Sequence, residues 1–380
     1  MKIVRLSDHL VCPLGHDTET TLEAVLQGRS ELRLHSDWQH LPKPVCASLF
    51  EPDGIASAFA ESGQTDQGYT RFEQLAIASA APAIARSGID PASPRVLFVL
   101  STTKGNVELL GGNGAGQSES VSPVWSAERL ARHFGNPNIP MVVSNACISG
   151  LCAQIYASRA LQSGRYDQAV IVGADVLSSF IVSGFQSFKA LSQQPCRPFD
   201  RERNGLNLGE GAATLVIGRV ENADGAWTLC QGAIRNDANH ISGPSRTGEG
   251  ACQALKATLA GICPDEAAMI SVHGTATLYN DEMEAVALQR AGLDHLPVNA
   301  YKGYLGHTLG AAGLLESVLS MHAIDRGVIP ATRGFSEPGV SVPLQVSNQP
   351  RTTDKKAFIK MLSGFGGCNA ALYYRKGGTQ

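Results

Sequence analysis

Charge and aromatic rings are both scarce in this sequence. Of its 380 residues, 17% are charged and 6% aromatic, against 43% hydrophobic. The 31 basic and 34 acidic residues leave a formal net charge of −3 with no basic block, so neither nucleic acid nor an anionic membrane surface is an expected partner. Nowhere do about 18 apolar residues run together, and no membrane span is expected. The opening Met1-Lys2-Ile3-Val4-Arg5-Leu6-Ser7 lacks the apolar region of a signal peptide, which makes the cytoplasm the expected location. Nine cysteines, an odd number, are scattered without a C-x-x-C pair. That argues for reduced thiols and against a disulfide framework or a zinc site, and no metal is expected.

Glycine, by contrast, is plentiful. Forty glycines suit many tight turns, and a chain of this length can bury a large core in one or two compact units. The β-rich runs 95–100, 169–172, 213–217 and 357–362 alternate with helical segments, which predicts an α/β protein with largely parallel buried sheets. Segments 147–164 and 307–327 share one plan: a strand, a chemically active residue, then an amphipathic helix ending in glycine. This implies an internal duplication. Asn222-Ala223-Asp224-Gly225 reads as the connecting turn, dividing the chain into 1–222 and 223–380. The loop Gly111-Gly112-Asn113-Gly114-Ala115-Gly116 lacks the spacing of a dinucleotide fingerprint and the Lys-Ser or Lys-Thr of a P-loop. It is expected to be a surface or interface loop.

Cys147 follows the β-rich Met141-Val142-Val143-Ser144, and Ile148, Leu151, Cys152, Ile155 and Ala160 after it recur at helical spacing. This places the thiol at a helix N-terminus, where the macrodipole and free N–H groups favour a thiolate. A lone cysteine is more often a buried core residue, but two histidines stand in glycine-flanked motifs of their own. His273, in Val272-His273-Gly274-Thr275, ends an apolar strand-like stretch. His307, in Lys302-Gly303-Tyr304-Leu305-Gly306-His307-Thr308, begins a helix-period run that stops at Arg326-Gly327. A helix start disfavours imidazolium, so His307 is expected to stay neutral and to donate an N–H to a carbonyl oxygen. His16, His133, His240, His295 and His322 lack such contexts and read as structural.

These motifs, with Gly364-Phe365-Gly366-Gly367-Cys368-Asn369 near the end, resemble the signature of the β-ketoacyl-acyl-carrier-protein synthases, the condensing enzymes of fatty acid and polyketide synthesis. Cys12-Pro13-Leu14-Gly15, Arg197-Pro198-Phe199-Asp200, Gly209-Glu210-Gly211 and Gly310-Ala311-Ala312-Gly313 match further family motifs in order. The resemblance implies the thiolase fold, two duplicated α/β halves in a five-layered αβαβα arrangement. It implies an acyltransferase of the Cys-His-His type that condenses malonyl-ACP with an acyl group carried on Cys147, in fatty acid, polyene or type II polyketide synthesis. His273 and His307 would stabilise the enolate, Lys302 would shape their field, and Glu316 would pair with Lys302. The Phe365 and Cys147 backbone N–H groups would form an oxyanion hole, with Phe365 also a gate, while Thr275, Thr277 and Gly366 would contact the substrate arm. No cofactor is implied, since substrates ride on the phosphopantetheine of an acyl carrier protein. The implied assembly is a homodimer or a heterodimer with a ketosynthase-like subunit.

The sequence also departs from the family pattern. Ala276, Leu278 and Asn280 alter the loop after His273, and Cys368 replaces a threonine or serine. A second cysteine there keeps a thiolase open as an alternative, although the His273–His307 pair is the decarboxylating type. A chain-length-factor-like, non-catalytic subunit is the other alternative, and such subunits usually lack the nucleophile that Cys147 supplies. Ser101-Thr102-Thr103-Lys104-Gly105-Asn106 points toward a specialised polyene or polyketide pathway.

Overall fold

A computed structural model describes residues 1–111 and 118–378. Most of the glycine-rich 111–116 loop lies outside the described residues. Ten strands make the frame: β1 (Lys2–Val11), β2 (Val96–Ser101), β3 (Met141–Val143), β4 (Gln168–Asp175), β5 (Gly211–Val220), β6 (Trp227–Asn236), β7 (Met269–Ser271), β8 (Pro297–Asn299), β9 (Ala357–Gly364) and β10 (Cys368–Lys376). Six helices pack on them: α1 (Arg71–Ser87), α2 (Pro123–His133), α3 (Ser149–Gln162), α4 (Glu249–Thr258), α5 (Leu278–Arg290) and α6 (Ala312–Asp325).

Outward from the centre, the strands of the first half run β1-β5-β4-β2-β3 and those of the second β6-β10-β9-β7-β8, with a short edge strand Gln345–Val346 beyond. The two orders are the same permutation, and each half interleaves its strands with helices in the same sequence. This is the duplication that the paired motifs predicted. The halves join where Val4 of β1 meets Thr228 of β6.

The expectation of largely parallel sheets is corrected. Pairings near the centre, β1 with β5, β5 with β4, β6 with β10 and β10 with β9, are antiparallel; only the outer ones, such as β2 with β4 and β7 with β9, are parallel. Central strands are buried on both faces whatever their partner's direction, so their apolar runs carry no mark of polarity.

Alternation along the strands shows the layers. In β2, Val96, Phe98 and Leu100 face α1 and α2, while Leu97 and Val99 face α3 and α6; in β9, Phe358 and Leu362 face the α3–α6 layer and Ala357, Ile359 and Met361 face α4 and α5. Helices therefore lie outside each sheet and between them, in five layers. The middle helix α6 is buried nearly all round, Glu316, Ser317 and Ser320 included. It crosses α3 backbone to backbone: a Cβ on Gly150 would lie 2.9 Å from the Gly313 Cα, and one on Gly313 would lie 2.7 Å from the Leu151 nitrogen. Glycine at both positions sets this approach. Among the described residues, no helix is long and apolar enough to cross a membrane, and all nine cysteines are free thiols.

Candidate active site

Cys147, His273 and His307 converge between the two halves. The Cys147 sulfur and one ring nitrogen of each histidine lie within 4.8 Å of one another, and the rings stand edge to face with centroids 5.0 Å apart. All three residues are buried. The same atoms are the one place among the described residues where a metal ion would find three such donors together.

Cys147 sits in a tight turn after β3, with Ala146 at a left-handed φ of 45°. Ser149 holds that turn, accepting from the Asn145 N–H at 2.8 Å and donating to the Ala146 carbonyl at 2.6 Å. Helix α3 begins only at Ser149, after Ile148 as its N-cap, so Cys147 precedes the helix rather than opening it. The expected thiolate is also corrected. Burial, followed by the neighbouring Cys368 thiol, pushes the Cys147 thiol up to about 12, while Lys302, the Phe365 N–H and Lys104 pull it part of the way back. Desolvation is the largest influence on this sulfur and outweighs the nearby positive charges.

His307 likewise does not begin the long helix. It follows Gly306, held at φ 68°, and precedes a single 3-10 turn before α6 starts at Ala312. The imidazole is neutral as expected, but for another reason: burial first, then Lys302 and Lys360, hold it well below 6.5. Its Nδ1 accepts from the Leu309 N–H at 3.3 Å, which puts the proton on Nε2, a buried donor with no protein partner. His273 is held down in the same way, by burial and then by Lys302, His307 and Lys360, and its Nδ1 is likewise buried and unpartnered.

Ions and backbone bonds fix the His273 segment. Lys302 donates to the His273 carbonyl at 2.7 Å and pairs with Glu316 at 2.8 Å. The Glu284 carboxylate accepts from the N–H groups of His273 and Gly274, each at 2.7 Å, and Asp281 accepts from Ala276 at 3.2 Å. Thr275 and Thr277 share a 2.9 Å hydroxyl contact.

Two cavities meet at the thiol. One, of about 280 Å³, is lined by His273, Thr275, Thr277, His307 and Gly364; the other, of about 1170 Å³, by Val107, Leu109, Phe180, Ile181 and Leu309. Cys147, Phe185, Phe188 and Phe365 line both. Phe365 stacks on Phe185 and meets Phe188 edge-on, with centroids 5.8 and 5.4 Å apart, so its ring stands where the cavities join. Its backbone N–H points at the Cys147 sulfur. Gly366 follows at φ 86° and donates to the Ile241 carbonyl at 2.7 Å.

The structure thus gathers Cys147, His273, His307, Lys302, Glu316, Phe365, Thr275 and Thr277 around one centre. Five of the other eight histidines, those read as structural, fall elsewhere and are held locally: His16 by Glu61, His133 by Tyr69, His295 by Asp265, His322 by Asp8, and His240 by its own loop. Cys368 lies behind the Gly-Phe-Gly-Gly turn, donating to the Phe365 carbonyl at 3.3 Å. Sequence reasoning missed Glu284, Asp175 and Lys360. Asp175 accepts from Gly310 at 2.6 Å and from Thr102 at 2.7 Å, tying the His307 turn to the end of β2. For Lys360 a signal existed, a lysine within the apolar run Phe358-Ile359-Lys360-Met361-Leu362.

Comparison with known proteins agrees with this geometry. Residues 3–223 match the "Beta-ketoacyl synthase, N-terminal domain" and residues 228–336 the "Beta-ketoacyl synthase, C-terminal domain". The chain is 32% identical to the tetracenomycin polyketide synthase ketoacyl synthase alpha subunit of Streptomyces glaucescens, across 94% of this chain and 93% of that one. It is 29% identical to 3-oxoacyl-[acyl-carrier-protein] synthase 2 of Coxiella burnetii, across 96% and 95%. Among solved structures, the ishigamide ketosynthase/chain length factor superposes with a TM-score of 0.86 at 27% identity, covering 99% of each chain. The ketosynthase ApeO in complex with its chain length factor ApeC, from Xenorhabdus doucetiae, gives the same score at 24% identity and shares the fold, with 99% of this chain and 98% of that one covered. The chain belongs to the β-ketoacyl synthase family, a family of acyltransferases built on the thiolase fold.

Proposed function

We propose that this chain catalyses decarboxylative condensation of malonyl-ACP with an acyl group carried on Cys147, in fatty acid, polyene or type II polyketide synthesis. The observation that carries the reading is the meeting of one thiol and two imidazoles, each with one unpartnered ring nitrogen, at the junction of two cavities. The smaller cavity, with Thr275 and Thr277, suits a phosphopantetheine arm, and the larger one suits the acyl chain. Substrates on acyl carrier protein bring their own reactive thioester, so the reaction calls for no resident cofactor or metal.

The Cys147 sulfur attacks the acyl thioester carbonyl as a neighbouring imidazole takes the thiol proton, so that the proton leaves only as the new S–C bond forms and no free thiolate accumulates. The Cys147 and Phe365 N–H groups hold the oxyanion. Its collapse breaks the bond to the pantetheine sulfur, and that sulfur leaves with the proton. Malonyl thioester enters next. Its C–C bond to the carboxylate breaks, CO₂ departs, and the electron pair forms an enolate whose oxygen accepts from neutral His273 and His307. The α-carbon then attacks the acyl-cysteine carbonyl and expels the Cys147 sulfur, which takes up a proton from water, leaving a β-ketoacyl thioester two carbons longer. Neutral rings suit this role, because loss of CO₂ removes the need for a strong base.

Complexes of a ketosynthase with a chain length factor among the structural relatives support a second reading, a non-catalytic subunit that shapes a partner's pocket. Cys147 favours the enzyme. Intact-mass analysis with a panel of acyl-ACP thioesters separates the readings: one adduct per chain, mapping to Cys147 and absent in Cys147→Ala, supports the enzyme. Full elongation by a heteromer carrying Cys147→Ala in this chain supports the silent subunit.

A further inference from the structure

One buried charge has no part in the steps above. Lys360 of β9 pairs with Glu316 at 2.7 Å through one carboxylate oxygen, while Lys302 takes the other at 2.8 Å. The side chains of Lys302, Glu316 and Lys360 are 1%, 2% and 0% exposed, so water does not dilute the charges. The Lys360 ammonium also donates at 3.1 Å to the carbonyls of Ser271, Val272 and Met361, and the first two lie directly before His273. A single lysine would pair Glu316 into a neutral unit. The second lysine adds a positive charge in a place where a buried charge is costly, and burial lowers its ammonium from 10.5 to about 8, so it carries that charge below this pH.

That charge lies under both histidines. The other titratable groups facing them are Cys147, Glu284 on the His273 and Gly274 N–H groups, Asp281 on Ala276, and Asp175 on Gly310. An incoming malonyl carboxylate is an anion, and an anion beside an imidazole favours imidazolium. Protonation would remove the Nδ1 acceptor that His307 offers to the Leu309 N–H. It would also trade two neutral donors for a charged pair.

We propose that Lys360 is a positioning residue, whose excess charge, delivered through Glu316 and the Ser271–Val272 carbonyls, keeps His273 and His307 neutral when the anionic substrate binds. The inference rests on the decarboxylating role proposed for the histidines. Both rings already feel Lys360 in the folded protein, after burial and Lys302.

The test is the acid limb of malonyl-ACP decarboxylation, together with ¹⁵N-imidazole titration of the ¹⁵N-histidine-labelled full chain, the two signals assigned with His273→Ala and His307→Ala. In Lys360→Met the acid limb and both titrations should move up by about one pH unit, the scale of one nearby charge on a buried group. Lys360→Arg should restore the wild-type limb. Superimposable limbs and titrations for wild type and Lys360→Met overturn the proposal, and so does an equal shift in Lys360→Arg, since charge would not then be the cause. If Lys360→Met does not fold, Glu316→Gln leaves both ammonium groups and should move the titrations down; an upward move overturns the proposal. The imidazole titration needs no turnover, so an inactive wild type would refute the proposed reaction while the Lys360 assignment is still decided.

Discussion

The two halves have one topology and different electrostatics at equivalent places. In the first half the ladder pairs Ser101, the last residue of β2, with Gly173; in the second it pairs Ser271, the last residue of β7, with Lys360. On the middle helices Gly150 and Gly313 are both the second residue, which sets Ala153 against Glu316. Where one half has glycine and alanine, the other has a buried ion cluster. The fold therefore does not require the charges, since the first half is built without them at the equivalent positions. Gly173 serves packing, as a Cβ there would lie 2.7 Å from the Leu314 side chain. On the proposed mechanism, Lys360 and Glu316 serve the histidines.

The comparison breaks most visibly at the reacting groups. His307→Ala should lower malonyl decarboxylation and condensation by about 10²–10³-fold, the scale of one lost oxyanion donor, while Cys147 still acquires an acyl adduct by mass spectrometry. Lost acylation with intact decarboxylation would exchange the roles of the halves. Next is the cluster itself: Glu316→Ala strands two buried ammonium groups and should cost about 3–5 kcal/mol in denaturant unfolding. Gly173→Ala, in the half without the ion cluster, should cost about 1–3 kcal/mol by overpacking against Leu314. A larger loss for Gly173→Ala than for Glu316→Ala would reverse the assignment of packing to one half and charge to the other.

A pH-dependent effect concerns Glu284. Burial, then Asp281, raises its carboxyl from 4.5 to about 7. Between those values the folded chain binds more protons at this site than the unfolded chain does. Its stabilising contribution is therefore complete below pH 4.5 and lost as pH rises through about 7. The Tm of wild type minus that of Glu284→Gln should fall across this window, and a rising difference would contradict the assignment.

The residues that sequence reasoning found announce themselves locally. Cys147, His273 and His307 stand beside small or glycine residues that need special backbone, and Ala146, Gly274 and Gly306 all take positive φ. The duplication was legible because its two copies sit at helix entries with glycine ends. Lys360 and Glu284 were not legible in the same way. A lysine in a strand and a glutamate on a helix ordinarily point at water, and only the β7–β9 register and the close fit of α5 turn them inward. The thiolate expectation failed for a related reason. Proximity to a helix start can be read along the chain, whereas the number of groups sealing off the sulfur cannot.

The bare crossing of α3 and α6 acts as a ruler. Cys147 lies three residues before Gly150 and His307 six before Gly313, so main chain on main chain sets the gap between the thiol and the imidazole. Side chains hop between rotamers, but two backbones in contact have no such freedom. The entropy of bringing the reacting groups together is thus settled when the chain folds, before any substrate arrives. A single methyl group at that crossing would lengthen the ruler, detuning the chemistry of a protein whose halves are still intact.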